Sequence, residues 1–95
     1  MQRARNSWLL QSDIMYVIRL HIVSPYGTLA DAAVSAVTLP GSIGPFEVLK
    51  DHAPLVSSLV KGDIVYVTEE GEKRLSILSG FVEVSDNKVV ACVEQ

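Results

Sequence analysis

With a single cysteine, Cys92, the chain has no partner for an internal disulfide. Cys92 stands between Ala91 and Val93 in an apolar run, where a thiol reads as a small buried hydrophobe and not as a reactive group. Histidines number only two, and Asp51-His52 is the nearest thing to a ligand pair. Zinc wants three or four ligands around it, and neighbours on an extended strand point to opposite faces, so no metal is expected. Lys and Arg total 8 against 11 acids, for a net charge of −3, and no basic cluster occurs. Nucleic acid and anionic membrane are therefore poor partners by charge. The longest apolar segment, Ile14 to Val23, is interrupted by Arg19 and His21 and is too short to cross a bilayer as a helix, so any link to a membrane runs through other proteins. Six aromatic residues are few for a carbohydrate-binding face. His52 with Asp51, Ser57 or Ser58 supplies the residue types of nucleophilic catalysis but no supporting motif such as Gly-x-Ser-x-Gly. Gly41-Ser42-Ile43-Gly44 lacks the Gly-Lys-Ser/Thr ending of a phosphate loop. Glu69, Glu70 and Glu72 cluster where a hairpin tip is expected, which is a solvated turn. No catalytic residue, metal or cofactor is expected.

What is present is alternation. The chain has 95 residues, 48% of them apolar and 20% charged, which suits one small globular domain. Ile18, Leu20 and Ile22 fall on one side of an extended segment, with Arg19 and His21 on the other. Pro25-Tyr26-Gly27 ends it as a turn. Thr28 to Val37 reads either as a helix, from the spacing of Leu29, Ala32, Ala33 and Ala36, or as two strands, Thr28–Ala30 and Val34–Leu39. Further strands are expected at 46–49, 55–60, 63–68, 73–78, 80–84 and 88–93, with hairpin loops at 69–72 and 85–87. Many short strands with tight turns argue for a sandwich or barrel. Residues 1–14, with Arg3 and Arg5 ahead of Trp8-Leu9-Leu10, carry no strand pattern. They are expected to be an upstream extension or leader, disordered, with the domain spanning 15–95. Deleting them is expected to change the unfolding free energy by no more than about 1 kcal/mol.

The most specific stretch runs Val-Thr-Leu-Pro-Gly-Ser-Ile-Gly-Pro-Phe-Glu-Val-Leu-Lys-Asp-His-Ala-Pro-Leu, from Val37 to Leu55. Two prolines and two glycines within six positions fix a loop of defined shape. Taken in order with Ile22-Val23-Ser24-Pro25, Lys61-Gly62, Ser79-Gly80-Phe81-Val82-Glu83-Val84 and Asn87-x-Val89, this stretch resembles the epsilon subunit of the bacterial F-type ATP synthase. The resemblance implies an all-β fold, a flattened ten-stranded, barrel-like sandwich, and it favours strands over a helix at 28–37. It implies a non-catalytic subunit of the central stalk, one copy per complex and a monomer when isolated. Its partners would be the gamma subunit and the c-ring, and it would couple proton flow to ATP synthesis at the cytoplasmic face of the bacterial inner membrane. Ser42, Ile43, Gly44, Pro45 and Phe46 would face the c-ring, and Ser24 and His52 would lie towards gamma. The competing expectation is a free-standing β-sandwich that binds some other protein.

The chain departs from the family pattern at Pro45, where an acidic residue is frequent, and at Glu47 and Asp51, where glycine is usual. Most relatives continue into a C-terminal helical pair, which in some bacteria binds ATP. This sequence stops at Gln95, after the last expected strand. The expectation is either a short natural form or a shortened chain, and calorimetry of these 95 residues should show no ATP binding.

Overall fold

In the computed structural model the described residues are 16–95, and they form two packed β-sheets. The strands are β1 (Ile18–Ser24), β2 (Gly27–Val34), β3 (Ala36–Leu39), β4 (Phe46–Val48), β5 (Leu55–Leu59), β6 (Gly62–Thr68), β7 (Gly71–Ile77), β8 (Ser79–Ser85) and β9 (Lys88–Glu94). One sheet has the order β2-β1-β9-β8-β5, the other β4-β3-β6-β7. The pairs are antiparallel except β1–β9, where the first and last strands of the described domain run side by side in the same direction.

The expected all-β sandwich is present, with two corrections. The two sheets remain separate and do not close into a barrel, and nine strands, not ten, occur among the described residues. At Pro40-Gly41 the chain stays extended but makes a single bridge, Gly41 with Leu59. Proline has no N–H to donate, so a ladder cannot be built through it.

The core follows from period two. Ile18, Leu20, Ile22, Val82, Val84, Val89, Ala91 and Val93 point inward from the five-stranded sheet and are buried. Val37, Leu39, Val48, Ile64, Tyr66 and Ile77 meet them from the other sheet. The ambiguous segment 28–37 is strand, broken at Ser35, where the Ser35 N–H donates to the Val67 carbonyl as the chain passes from one sheet to the other. Ala30, Ala32 and Ala33 sit on the edge strand β2, where small side chains read equally well as helix.

Turn chemistry sets the register. Asp86 and Asn87 both have positive φ (56° and 61°), the geometry of a two-residue hairpin turn whose twist matches the strands. Glu69-Glu70 is followed by Gly71 at φ 118°, and Pro25-Tyr26 by Gly27 at φ 135°; both are tight turns closed by a glycine where other residues would be strained. The expected hairpin loop 69–72 is thus shorter, with Gly71 and Glu72 already in β7. In that turn the Lys73 ammonium donates to Glu70 at 3.0 Å, and this hydrogen bond holds the lysine above its ordinary pKa.

A clasp joins the loop after β4 to the β8–β9 turn. The Asp51 N–H donates to Asn87 Oδ1 at 2.7 Å, and Asn87 Nδ2 donates to Asp51 Oδ1 at 3.0 Å. Asp51 itself has φ 63°. Asn87→Ala removes both bonds and leaves alanine in the left-handed region, so a loss of about 1–2 kcal/mol in urea unfolding is expected. Asn87→Gly also removes the bonds but relieves the backbone, and should lose less.

Candidate functional site: an uncovered sheet face and an apolar end

The outward side of the five-stranded sheet carries an apolar patch among charged neighbours. Strand register places Val23, Cys92 and Phe81 in one cross-strand row and His21, Val90, Glu83 and Val56 in the next. Phe81 is 56% exposed and Val56 75%. The sequence reason is plain in β9: Val89-Val90-Ala91-Cys92-Val93 is apolar at both phases, the pattern of a strand covered on both faces. Its inner phase is covered by the second sheet, while its outer phase is not covered by any of the described residues. Cys92 belongs to that outer phase and is half-buried, which corrects the expectation of a core thiol. A shallow apolar hollow of about 550 Å³ opens beside it, between Val23, Pro25, Gly80 and Phe81. Charge gathers farther along the face, where Arg19 pairs with Asp31 at 2.6 Å. His21 Nε2 lies 3.4 Å from Thr28 Oγ1.

The two ends of the sandwich differ. Strand directions bring Pro25-Tyr26, the loop 40–45, Val60-Lys61 and Leu78 to one end. Lys61 is the one formally charged residue in those connections, and the exposed Glu94 at the end of β9 lies beside Tyr26 and Leu78 there. The other end carries Lys50, Asp51, His52, Glu69, Glu70 and Asp86.

The loop Ser42–Phe46 is as rigid as its composition implies. The Ser42 N–H donates to the Ser58 carbonyl at 3.0 Å and the Gly44 N–H to the Gly41 carbonyl at 3.1 Å, while Ser58 Oγ donates to Ser42 Oγ at 2.9 Å. Ile43, Gly44 and Pro45 stand out into solvent, whereas Phe46 folds back over Gly41 and packs against the core. Ser24 shapes its own turn, accepting from the Tyr26 N–H at 3.1 Å. His52 lies in the loop between β4 and β5, not on a strand, with Nδ1 2.7 Å from the Ala53 carbonyl. The structure places Ser24 at the same end of the sandwich as the Ser42–Phe46 loop but three strands away from it across the sheet, and His52 at the opposite end, roughly 20 Å away by strand rise. It does not bring the two together. Asp51, His52, Ser57 and Ser58 form no nucleophile–base hydrogen bond, since Ser57 Oγ donates to the Ser58 carbonyl and Ser58 Oγ to Ser42.

The family described as the β-sandwich domain of the ATP synthase delta/epsilon chain matches residues 17–95. The chain belongs to that family. It is 44% identical over 81 residues to an ATP synthase epsilon chain of Sulfurovum sp., covering 84% of this chain and 63% of that protein. An epsilon chain of Desulfitobacterium hafniense is 43% identical over 70 residues, covering 74% of this chain and 53% of the relative. The chain therefore spans a little over half the length of these relatives. For the epsilon chain of Chlorobaculum tepidum, 36% identical over 77 residues, the matched part is 88% of the relative's length. Among solved structures, a chain in the mitochondrial ATP synthase of Euglena gracilis, described as OSCP/F1/c-ring, superposes with a TM-score of 0.75 at 25% identity, covering 82% of this chain and 51% of that one. A chain of the Tetrahymena thermophila mitochondrial enzyme superposes with a TM-score of 0.68 at 16% identity, over 82% of this chain and 63% of that one, and supports the fold.

Proposed function

We propose that this domain is the sandwich of a rotor central-stalk subunit of a proton-translocating ATP synthase. It joins the gamma subunit to the c-ring and helps couple proton flow to ATP synthesis, without catalysis of its own, at the cytoplasmic face of a bacterial membrane. The observation that carries this reading is the apolar outer face of β1, β9, β8 and β5. A strand apolar at both phases, as β9 is, gains stability only when both faces leave water, and a stalk partner lying along the strands supplies the second cover. Ser24 and His52 fall at the two ends of that face, as a long partner running its length requires. Ile43, Gly44 and Pro45 project from the end that would rest on the ring. Pro45 carries no charge, so this end meets the ring through shape and apolar contact.

Co-purification with the gamma subunit of the same organism tests the reading. The wild-type chain is expected to form a stoichiometric complex with gamma, and adding it to an epsilon-depleted enzyme should restore proton-coupled synthesis. Absence of gamma binding by a folded chain would overturn the reading. His52→Ala separates contact from scaffold. With its ring tied to the Ala53 carbonyl through one nitrogen, the other remains available. The expected result is a several-fold weaker gamma complex with a melting temperature within about 2–4 °C of wild type.

A further inference from the structure

The loop that carries His52 has little of its own to hold it. It covers residues 49–54, between β4 at the edge of one sheet and β5 at the edge of the other. All of its residues are exposed except the half-buried His52. Its internal bonds are local: the His52 N–H donates to the Leu49 carbonyl at 3.1 Å, and His52 Nδ1 meets the Ala53 carbonyl at 2.7 Å. Among the described residues, its hydrogen bonds to other elements are the two that Asp51 shares with Asn87. A crevice of about 340 Å³ opens among Asp51, His52, Pro54, Ser85 and Asp86. Packing between loop and turn is therefore loose, and the hydrogen bonds set their spacing.

Asn87 is well anchored for that task. The positive φ of both Asp86 and Asn87 fixes the hairpin turn. The Asn87 carbonyl also accepts from the Arg19 N–H at 2.9 Å, which ties the turn to β1. Its side-chain amide then presents one acceptor and one donor to Asp51, and both are used. Asp51 has φ 63°, a left-handed conformation that is costly for a residue with a Cβ. The two bonds offset that cost and fix where the next residue, His52, begins. A carbonyl oxygen only accepts, so Nδ1 carries the hydrogen in the contact with Ala53, and Nε2 is the nitrogen left for a partner.

Resting on the function proposed above, in which His52 contacts gamma, we infer that Asn87 is the positioning residue for that contact. Through Asp51 it holds the 49–54 loop, so that His52 Nε2 meets its partner already aimed. Preorganisation of this kind saves the freedom that a mobile loop would lose on binding.

The test exchanges donor and acceptor. Asp51→Asn keeps both bonds, because the amide oxygen at 51 still accepts. Asn87→Asp keeps the size and the tolerance for positive φ, but it has no N–H to donate and sets a carboxylate against that of Asp51. The double exchange restores the clasp with its direction reversed, the amide at 51 donating to the carboxylate at 87. Two readouts are taken on the folded full chain: the His52 ring signals by nuclear magnetic resonance without gamma, and gamma affinity by titration. Asn87→Asp is expected to move the ring signals towards those of a free imidazole. It should weaken gamma binding about fivefold, with no further loss when added to His52→Ala. Asp51→Asn and the double exchange are expected to match wild type in both readouts, with gamma affinity within about twofold. Unchanged ring signals in Asn87→Asp would overturn the inference whatever gamma does. So would a loss of affinity that persists in the double exchange or adds to that of His52→Ala, because the clasp would then not act through the histidine. If His52→Ala binds gamma as tightly as wild type, the contact is absent and the inference falls while the proposed function stands. If the wild-type chain fails to bind gamma, the proposed function falls, and the ring signals alone decide whether Asn87 sets the loop.

Discussion

Phe81→Asp is expected to weaken the complex with gamma by at least about tenfold while leaving a folded domain. Phe81 lies centrally in the outward row of the five-stranded sheet, between Cys92 and Ser58, and over half its surface is free in the isolated domain. In a complex that covers this face, a carboxylate at that point would be taken out of water with no cation opposite it. Such a charge at an interface centre costs several times the apolar contact it replaces, and 1.4 kcal/mol is already tenfold. The isolated chain has no such difficulty, because the new side chain stays hydrated. Its unfolding free energy should fall by about 1 kcal/mol or less, the scale of a poor strand former on an exposed face. Isothermal titration with gamma and urea unfolding of the chain alone check the two halves. Unchanged gamma affinity would remove this face from the interface.

Gly80→Val should have the opposite signature, a large loss of stability. A Cβ built at Gly80 would lie 2.4 Å from the Cys92 carbonyl oxygen and 3.0 Å from the Val93 Cα. Both obstacles are backbone, so no rotamer change relieves them. The β8–β9 ladder would have to open at Gly80↔Val93 in the interior of the sheet. A loss of about 2–4 kcal/mol is expected from forced overpacking with broken ladder bonds, read as a lower urea midpoint at unchanged slope. Gly27→Ala is the control. It meets nothing within 4 Å and pays only for its positive φ, so about 1 kcal/mol should be lost.

Much of the fold was legible because the sequence alternates. Ile18, Leu20 and Ile22 show it in β1, and the expected strands from 46–49 onward lie within two residues of the observed ends of β4 to β9. Segment 28–37 was not decided by its residues, since alanines on an edge strand carry little information about period. Nothing local reveals that β1 pairs with β9, or which strands share a sheet. That ignorance hid the placement of Ser24 and His52 at opposite ends, because strand direction was unknown. The apolar outer face was missed for a different reason. The apolar neighbours Ala91 and Val93 make Cys92 read as a buried thiol, when an unbroken apolar strand means that both faces want cover. Val56 and Phe81, exposed-phase residues on neighbouring strands, were the further signal. The 42–45 loop, by contrast, was read as rigid from its prolines and glycines, and its hydrogen bonds agree. The expectation for residues 1–14 lies outside the described residues.

The side-by-side pairing of β1 with β9 has a consequence for biogenesis. Arg19 aligns with Lys88 and Val23 with Cys92, so the middle of the larger sheet joins the earliest and latest parts of the domain to be synthesised. On the ribosome, β1 and β2 can form a hairpin early and β6 and β7 another. The sheet that buries Leu20 and Ile22 cannot be completed until β9 has left the exit tunnel. Non-local pairing of this kind slows folding, towards the millisecond-to-second range typical of all-β domains, and leaves unpaired strand edges exposed while translation continues. A nascent chain released before Lys88 would therefore lack its central strand and be a substrate for chaperones and proteases.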